Sequence, residues 1–181
     1  TDYNNLAGIH ISLGDICMSR KQYDKANDHY FICLTMWQKS EEKASTMSLQ
    51  INISLVCERI GNMYKAKGDT EAAKKYYQKS LKLAYQCCEK SSDVTVRSRP
   101  VTAHIYIGDV LKNEKNYDEA IKHYKISVGC AASILKEAND KNIIRNMGSA
   151  LSRLGFLYKQ LKDTDKAIDY IVKFTDMYSR T

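Results

Sequence analysis

The sequence holds a single proline and only eight glycines in 181 residues. That is too few for an all-β chain, which must turn about every ten residues. It lacks any run of 18 apolar residues and any charged-then-apolar leader, so neither a membrane-spanning helix nor a signal peptide is expected. It also lacks blocks of like charge. Its 28 basic and 21 acidic residues are interspersed, and the net charge of +7 favours acidic partners without marking a nucleic-acid tract. The six cysteines, Cys17, Cys33, Cys57, Cys87, Cys88 and Cys130, include no C-x-x-C pair and have no histidine at zinc-site spacing. Free thiols in a reducing compartment are therefore expected, with no metal and no cofactor. What is present is 44% hydrophobic residues, enough for a continuous core, in long stretches free of helix breakers. The expectation is an all-α, soluble protein of the cytoplasm or nucleus. A start at Thr1 instead of Met is the mark expected of a fragment.

The chain repeats itself. Aligned on Gly14, Gly61, Gly108 and Gly155, the segments IHISLGDICM, VCERIGNMYK, HIYIGDVLKN and LSRLGFLYKQ recur every 47 residues. An alanine follows each glycine in the same register, at Ala26, Ala73, Ala120 and Ala167. Tyr30, Tyr77, Tyr124 and Ile171 come next, then Cys33, Ser80, Ser127 and Phe174, while Leu13, Ile60, Ile107 and Leu154 precede the glycines. Small residues where two helices cross, flanked by larger apolar ones, are what a stacked helical hairpin requires.

This pattern resembles the tetratricopeptide repeat family, matching its Leu-Gly step and central Ala in all four copies and its Tyr at Tyr64 and Tyr158. The copies depart from it at the first large position, which holds His10, Cys57, His104 and Leu151, and at Phe174, where the final Ala is lost. The resemblance implies a right-handed superhelical solenoid of four hairpins, eight antiparallel helices in a single domain over 1–181, with repeats near 1–45, 46–92, 93–139 and 140–181. A standard repeat has about 34 residues, so a period of 47 leaves an excess to be placed. Thr46, Asp93 and Asp140, good N-cap residues at the same spacing, place it in longer helices. First helices are expected near 47–66, 94–113 and 141–160, and second helices near 24–43, 71–90, 118–138 and 165–180. Pro100 falls inside the third first helix, where it either kinks that helix or starts a new one in its favoured first-turn position, the latter being preferred.

The stretch KNYDEAIKHYK, residues 115–125, has the ingredients of an acid–base site, since Glu119 and His123 share a helix face. The repeat argues otherwise. Glu119 corresponds to Lys25, Ala72 and Lys166, and His123 corresponds to His29, Tyr76 and Tyr170, a position suited to a half-buried side chain with a polar tip. No catalytic residue and no enzyme activity is expected. Cys17, Cys33 and Cys57 and the recurring tyrosines read as core, the Cys87–Cys88 pair as partly buried, and Trp37 as packing between repeats.

In the family, exposed positions of the first helices line a concave groove for peptides. Carried over by position, the groove comprises Arg59, Asn62, Lys65, Tyr106, Lys112, Asn113, Arg153, Phe156 and Lys159, among neighbours that include Asp15, Met18, Glu58, Asp109, Ser149 and Gln160. Longer helix starts would add Arg99, Arg145 and Asn146. Its mildly basic character and its asparagines imply an acidic or mixed linear peptide of a partner protein, and hence a scaffold or adaptor. A chaperone C-terminal tail is disfavoured, because Glu58, Tyr106 and Ser149 stand where the carboxylate clamp needs Lys, Asn and Lys. Nucleic-acid or acidic-surface binding through the net charge is one alternative. Self-association is another: Ile168, Ile171, Phe174, Met177 and Tyr178 leave the last helix without a polar outer face.

Overall fold

The computed structural model describes residues 2–179, with nine helices and no strand among them: α1 (Asp2–Ser19), α2 (Tyr23–Lys43), α3 (Met47–Lys67), α4 (Thr70–Cys88), α5 (Val94–Arg97), α6 (Arg99–Asn113), α7 (Tyr117–Leu135), α8 (Lys141–Gln160) and α9 (Thr164–Ser179). The expected caps are in place. The Thr46 hydroxyl accepts from the Leu49 N–H at 3.2 Å. The Asp93 carboxylate accepts from Thr95 and Val96 at 2.7 and 3.2 Å, and that of Asp140 from Asn142 and Ile143 at 2.8 and 3.0 Å. Each satisfies backbone donors that a helix start leaves open. Within each hairpin the turn passes through one left-handed residue, at Lys21, Gly68, Lys115 and Lys162. The following N–H reaches back five residues, as from Asp69 to the Tyr64 carbonyl at 2.9 Å, which closes a Schellman motif.

The chain forms two compact units, Thr1–Ser91 and Ser92–Thr181. In the first, α1 pairs with α2 and α3 with α4, and α2 lies against α3. In the second, α6 pairs with α7 and α8 with α9, and α7 lies against α8. The expected first helix over 94–113 is split into α5 and α6. Pro100 has no N–H to donate back toward Val96, and its ring crowds the preceding turn. The Asp93 cap therefore starts a single turn that ends at Ser98, and α6 restarts with Pro100 in its first turn.

The glycine register explains the close crossing of each hairpin. A Cβ built on Gly14, Gly61 or Gly108 would come within 2.4, 2.5 or 2.6 Å of the ring of Tyr30, Tyr77 or Tyr124. Those three rings are among the largest fully buried side chains. Ala26, Ala73, Ala120 and Ala167 are buried beside them. Trp37 belongs to the core cluster shared by α1, α2 and α3, and its Nε1 donates to Asn4 Oδ1 at 3.1 Å.

Candidate interaction face

The residue after each glycine sets the polar chemistry of its hairpin. The Tyr30 hydroxyl donates to Asp15 Oδ1 at 2.6 Å, that of Tyr77 to Asn62 Oδ1 at 2.7 Å, and that of Tyr124 to Asp109 Oδ1 at 2.8 Å. In the fourth hairpin both partners turn apolar together, as Phe156 and Ile171. Burial first, and the neighbouring aspartate second, push the Tyr30 and Tyr124 phenols well above the ordinary tyrosine range, so both remain donors.

Two of the expected groove residues act on these aspartates from the next hairpin. Arg59 Nε donates to both carboxylate oxygens of Asp15, at 3.0 and 3.2 Å. Arg153 donates from Nε and Nη2 to the two oxygens of Asp109, at 2.7 and 3.2 Å, and from Nη1 to the Ser149 carbonyl at 3.2 Å and to the Ser149 hydroxyl. Burial alone would lower the Arg153 pKa, but the bonds and charge of Asp109 outweigh it and raise it. The positive charge of each face is thus partly neutralised from within, leaving it less basic than the composition of its side chains. The aspartate role was missed in the sequence, although Asp15 to Arg59 and Asp109 to Arg153 are both 44 residues apart.

The remaining expected residues stand on the same helices. Lys65 on α3, and Tyr106 and Lys112 on α6, are half-buried; Asn113 and Lys159 are exposed. Phe156 on α8 is 67% exposed, the most open large apolar side chain among the described residues. In the second unit α6 and α8 are direct neighbours, so Tyr106, Lys112, Asn113, Arg153, Phe156 and Lys159 share two adjacent helices.

The histidines form pairs. Nδ1 of His10 lies 3.1 Å from Nδ1 of His29, and Nδ1 of His104 lies 2.8 Å from Nδ1 of His123. Such a contact needs one ring to donate and the other to accept. Burial above all, with the charge of His123, holds the His104 pKa down at about 4. Glu119 is bonded to Lys122, and although its charge favours a protonated His123, burial outweighs it and lowers the His123 pKa. In the other hairpins the same second-helix position carries tyrosine, stacked Tyr76 on Tyr64 and Tyr170 on Tyr158 at 5.8 and 5.5 Å. The two units therefore repeat one another: a His–His hairpin is followed by a Tyr–Tyr hairpin, and an aspartate in the first is bound by an arginine from the second.

No disulfide joins any of the six cysteines. Burial pushes Cys33 up to about 12 and Cys57 up to about 11, far from thiolate reactivity. No helix among the described residues is long and apolar enough to cross a membrane.

Comparison with known families matches residues 55–87 and 148–180 to the tetratricopeptide repeat. Among solved structures, the chain superposes on BtubC (BKLC) from P. vanneervenii with a TM-score of 0.78 at 16% identity, covering 99% of this chain and 66% of that one. On the apo form of RapI it does so with a TM-score of 0.76 at 12% identity, covering 100% of this chain and 45% of that one. A third match, MamA, has a TM-score of 0.52 at 15% identity, with 93% and 95% covered. The chain thus spans less than two thirds of BtubC and under half of RapI. Comparison with curated protein sequences returns no match.

Proposed function

We propose that this chain, two segments of which match the tetratricopeptide repeat, is a protein–protein interaction scaffold holding an extended peptide of a partner along the exposed side of the adjacent first helices α6 and α8. The observation that carries this reading is Phe156. At the position where the first three hairpins place a polar group turned inward to a tyrosine, the fourth places an aromatic ring 67% exposed. Leaving that area in water costs about 25 cal/mol per Å² relative to covering it, so it suits an anchor for an apolar side chain. Lys112, Asn113 and Lys159 lie on the same two helices, supplying positive charge and an amide with both donor and acceptor.

Because Arg153 is bonded to Asp109, attraction for acidic residues of the peptide falls mainly on Lys112 and Lys159. The test is a fluorescent library of acidic and mixed peptides, titrated against the wild type, Lys112→Glu/Lys159→Glu and Phe156→Ala. These positions leave the internal ion pairs intact. Peptides that bind the wild type are expected to lose about tenfold or more in affinity to each variant. Equal binding by all three sinks the proposal, and RNA binding with a steep salt dependence in place of peptide binding would favour the charge-driven alternative.

A further inference from the structure

Leu6, Ile9, Leu13 and Ile16 recur at helical spacing along α1 and are 39–56% exposed. One period later the same positions of α3 are Ile53, Val56, Ile60 and Met63, none more than 1% exposed. In α8 they include Ala150, Leu154 and Leu157, again at most 1% exposed. The difference is a neighbour, because α2 covers α3 and α7 covers α8. The face of α1 is therefore of the kind that elsewhere receives a second helix.

The matching donor surface is on α9. Ile168, Ile171 and Val172 are 42–56% exposed; of the other residues expected on this face, Phe174 and Met177 are half-buried, and the side chain of Tyr178 lies outside the described residues. Ile121, the counterpart of Ile168 on α7, is buried where α8 lies over that helix. We infer that α9 of one molecule packs on α1 of a second copy, joining the chains head to tail.

Charge and register name the occupant. At the α2–α3 junction Lys67 Nζ bonds Asp24 at 2.8 Å. In the 47-residue register Arg20, following α1, stands in the place of Lys67, and Asp165 on α9 stands in the place of Asp24; both are exposed. The same superposition sets Ser12 opposite Phe156 where Arg59 meets Asp15, a contact without charge conflict. The alternation continues as well, since the fourth hairpin is of the Tyr–Tyr kind and the first of the His–His kind. Such a contact joins different patches of the two copies, so it propagates into a ring or an open chain. It uses faces of α1 and α9, not the exposed side of α6 and α8, and stands or falls separately from peptide binding.

The test measures the mass of the 181-residue chain by light scattering and sedimentation from micromolar to near-millimolar concentration. Wild-type mass is expected to rise with concentration beyond a dimer, or to a closed ring. Ile9→Glu/Ile16→Glu blocks the head and Ile168→Glu/Val172→Glu blocks the tail. Each variant alone should be monomeric, and an equimolar mixture should give a one-to-one dimer and nothing larger. Arg20→Asp should weaken association about fivefold, and mixing with Asp165→Arg should restore it, without touching the apolar core. A wild type monomeric throughout, as when another hairpin normally occupies these faces, overturns the inference. So does dimerisation of either blocked variant alone, or failure of the mixture to pair while circular dichroism shows both variants folded.

Discussion

Asp109 and Arg153, 44 residues apart, meet as a two-point ion pair at 2.7 and 3.2 Å, and the same carboxylate accepts the hydroxyl of the buried Tyr124. The carboxylate is 11% exposed, against 47% for Asp15 in the equivalent pair with Arg59. One motif is thus present twice, once with a wet carboxylate and once with a nearly dry one.

That difference predicts unequal costs for the same substitution. Arg153→Ala takes the two-point cation away from the buried Asp109 charge and is expected to destabilise by on the order of 2–3 kcal/mol. Arg59→Ala, beside a well-solvated aspartate, should cost less than about 1 kcal/mol. Adding Asp109→Asn to Arg153→Ala should recover part of the loss, since Asn62 already fills that role toward Tyr77. Urea midpoints at constant m-value check the order; equal losses would mean that burial does not decide it.

Glycine at the helix crossing makes a second contrast. Gly61→Ala sets a Cβ 2.5 Å from the fully buried Tyr77 ring and is expected to cost about 2 kcal/mol or more. Gly155→Ala meets Ile171 Cγ1 at 2.8 Å, on a side chain 42% exposed that can rotate away. There the gain in helix propensity, about 1 kcal/mol, offsets the contact, and thermal melts should show little change.

The buried His104 makes stability depend on pH. Its folded pKa of about 4 lies below the ordinary histidine value of 6.5, so between these values the unfolded chain binds more protons than the folded one. Stability is full above pH 6.5 and falls as pH drops toward 4, by a total on the order of 2–3 kcal/mol. His104→Leu, the residue the fourth hairpin carries as Leu151, should flatten that slope in urea titrations run across the window. An unchanged slope would assign it to other groups. Asp93, Glu137 and Asp163, whose carboxyls are held low by hydrogen bonds, act only at more acid pH.

Much of the hairpin architecture was legible. The glycine, alanine and tyrosine or isoleucine that meet at each crossing lie within one hairpin, and the caps at Thr46, Asp93 and Asp140 act on backbone two or three residues away. Pro100 was legible as a disturbance, but its outcome, a capped turn and a second helix start, depended on whether Asp93 could hold one isolated turn. The candidate site was legible only as a set of positions. That Arg59 and Arg153 spend their charge on Asp15 and Asp109 follows from how neighbouring hairpins stack, and a residue-by-residue carry-over sees helices singly.

By itself the sequence determined the helices, their capped starts and their pairing into hairpins, because those depend on backbone propensity, caps and side chains close along the chain. Only the tertiary structure decided which charges are neutralised, which histidines pair, and which apolar faces stay open. Those outcomes depend on partners 43 or 44 residues away in the next hairpin, such as Lys67 to Asp24 and Arg153 to Asp109. They depend equally on burial, which makes one aspartate a half-exposed surface ion and its counterpart a nearly dry one.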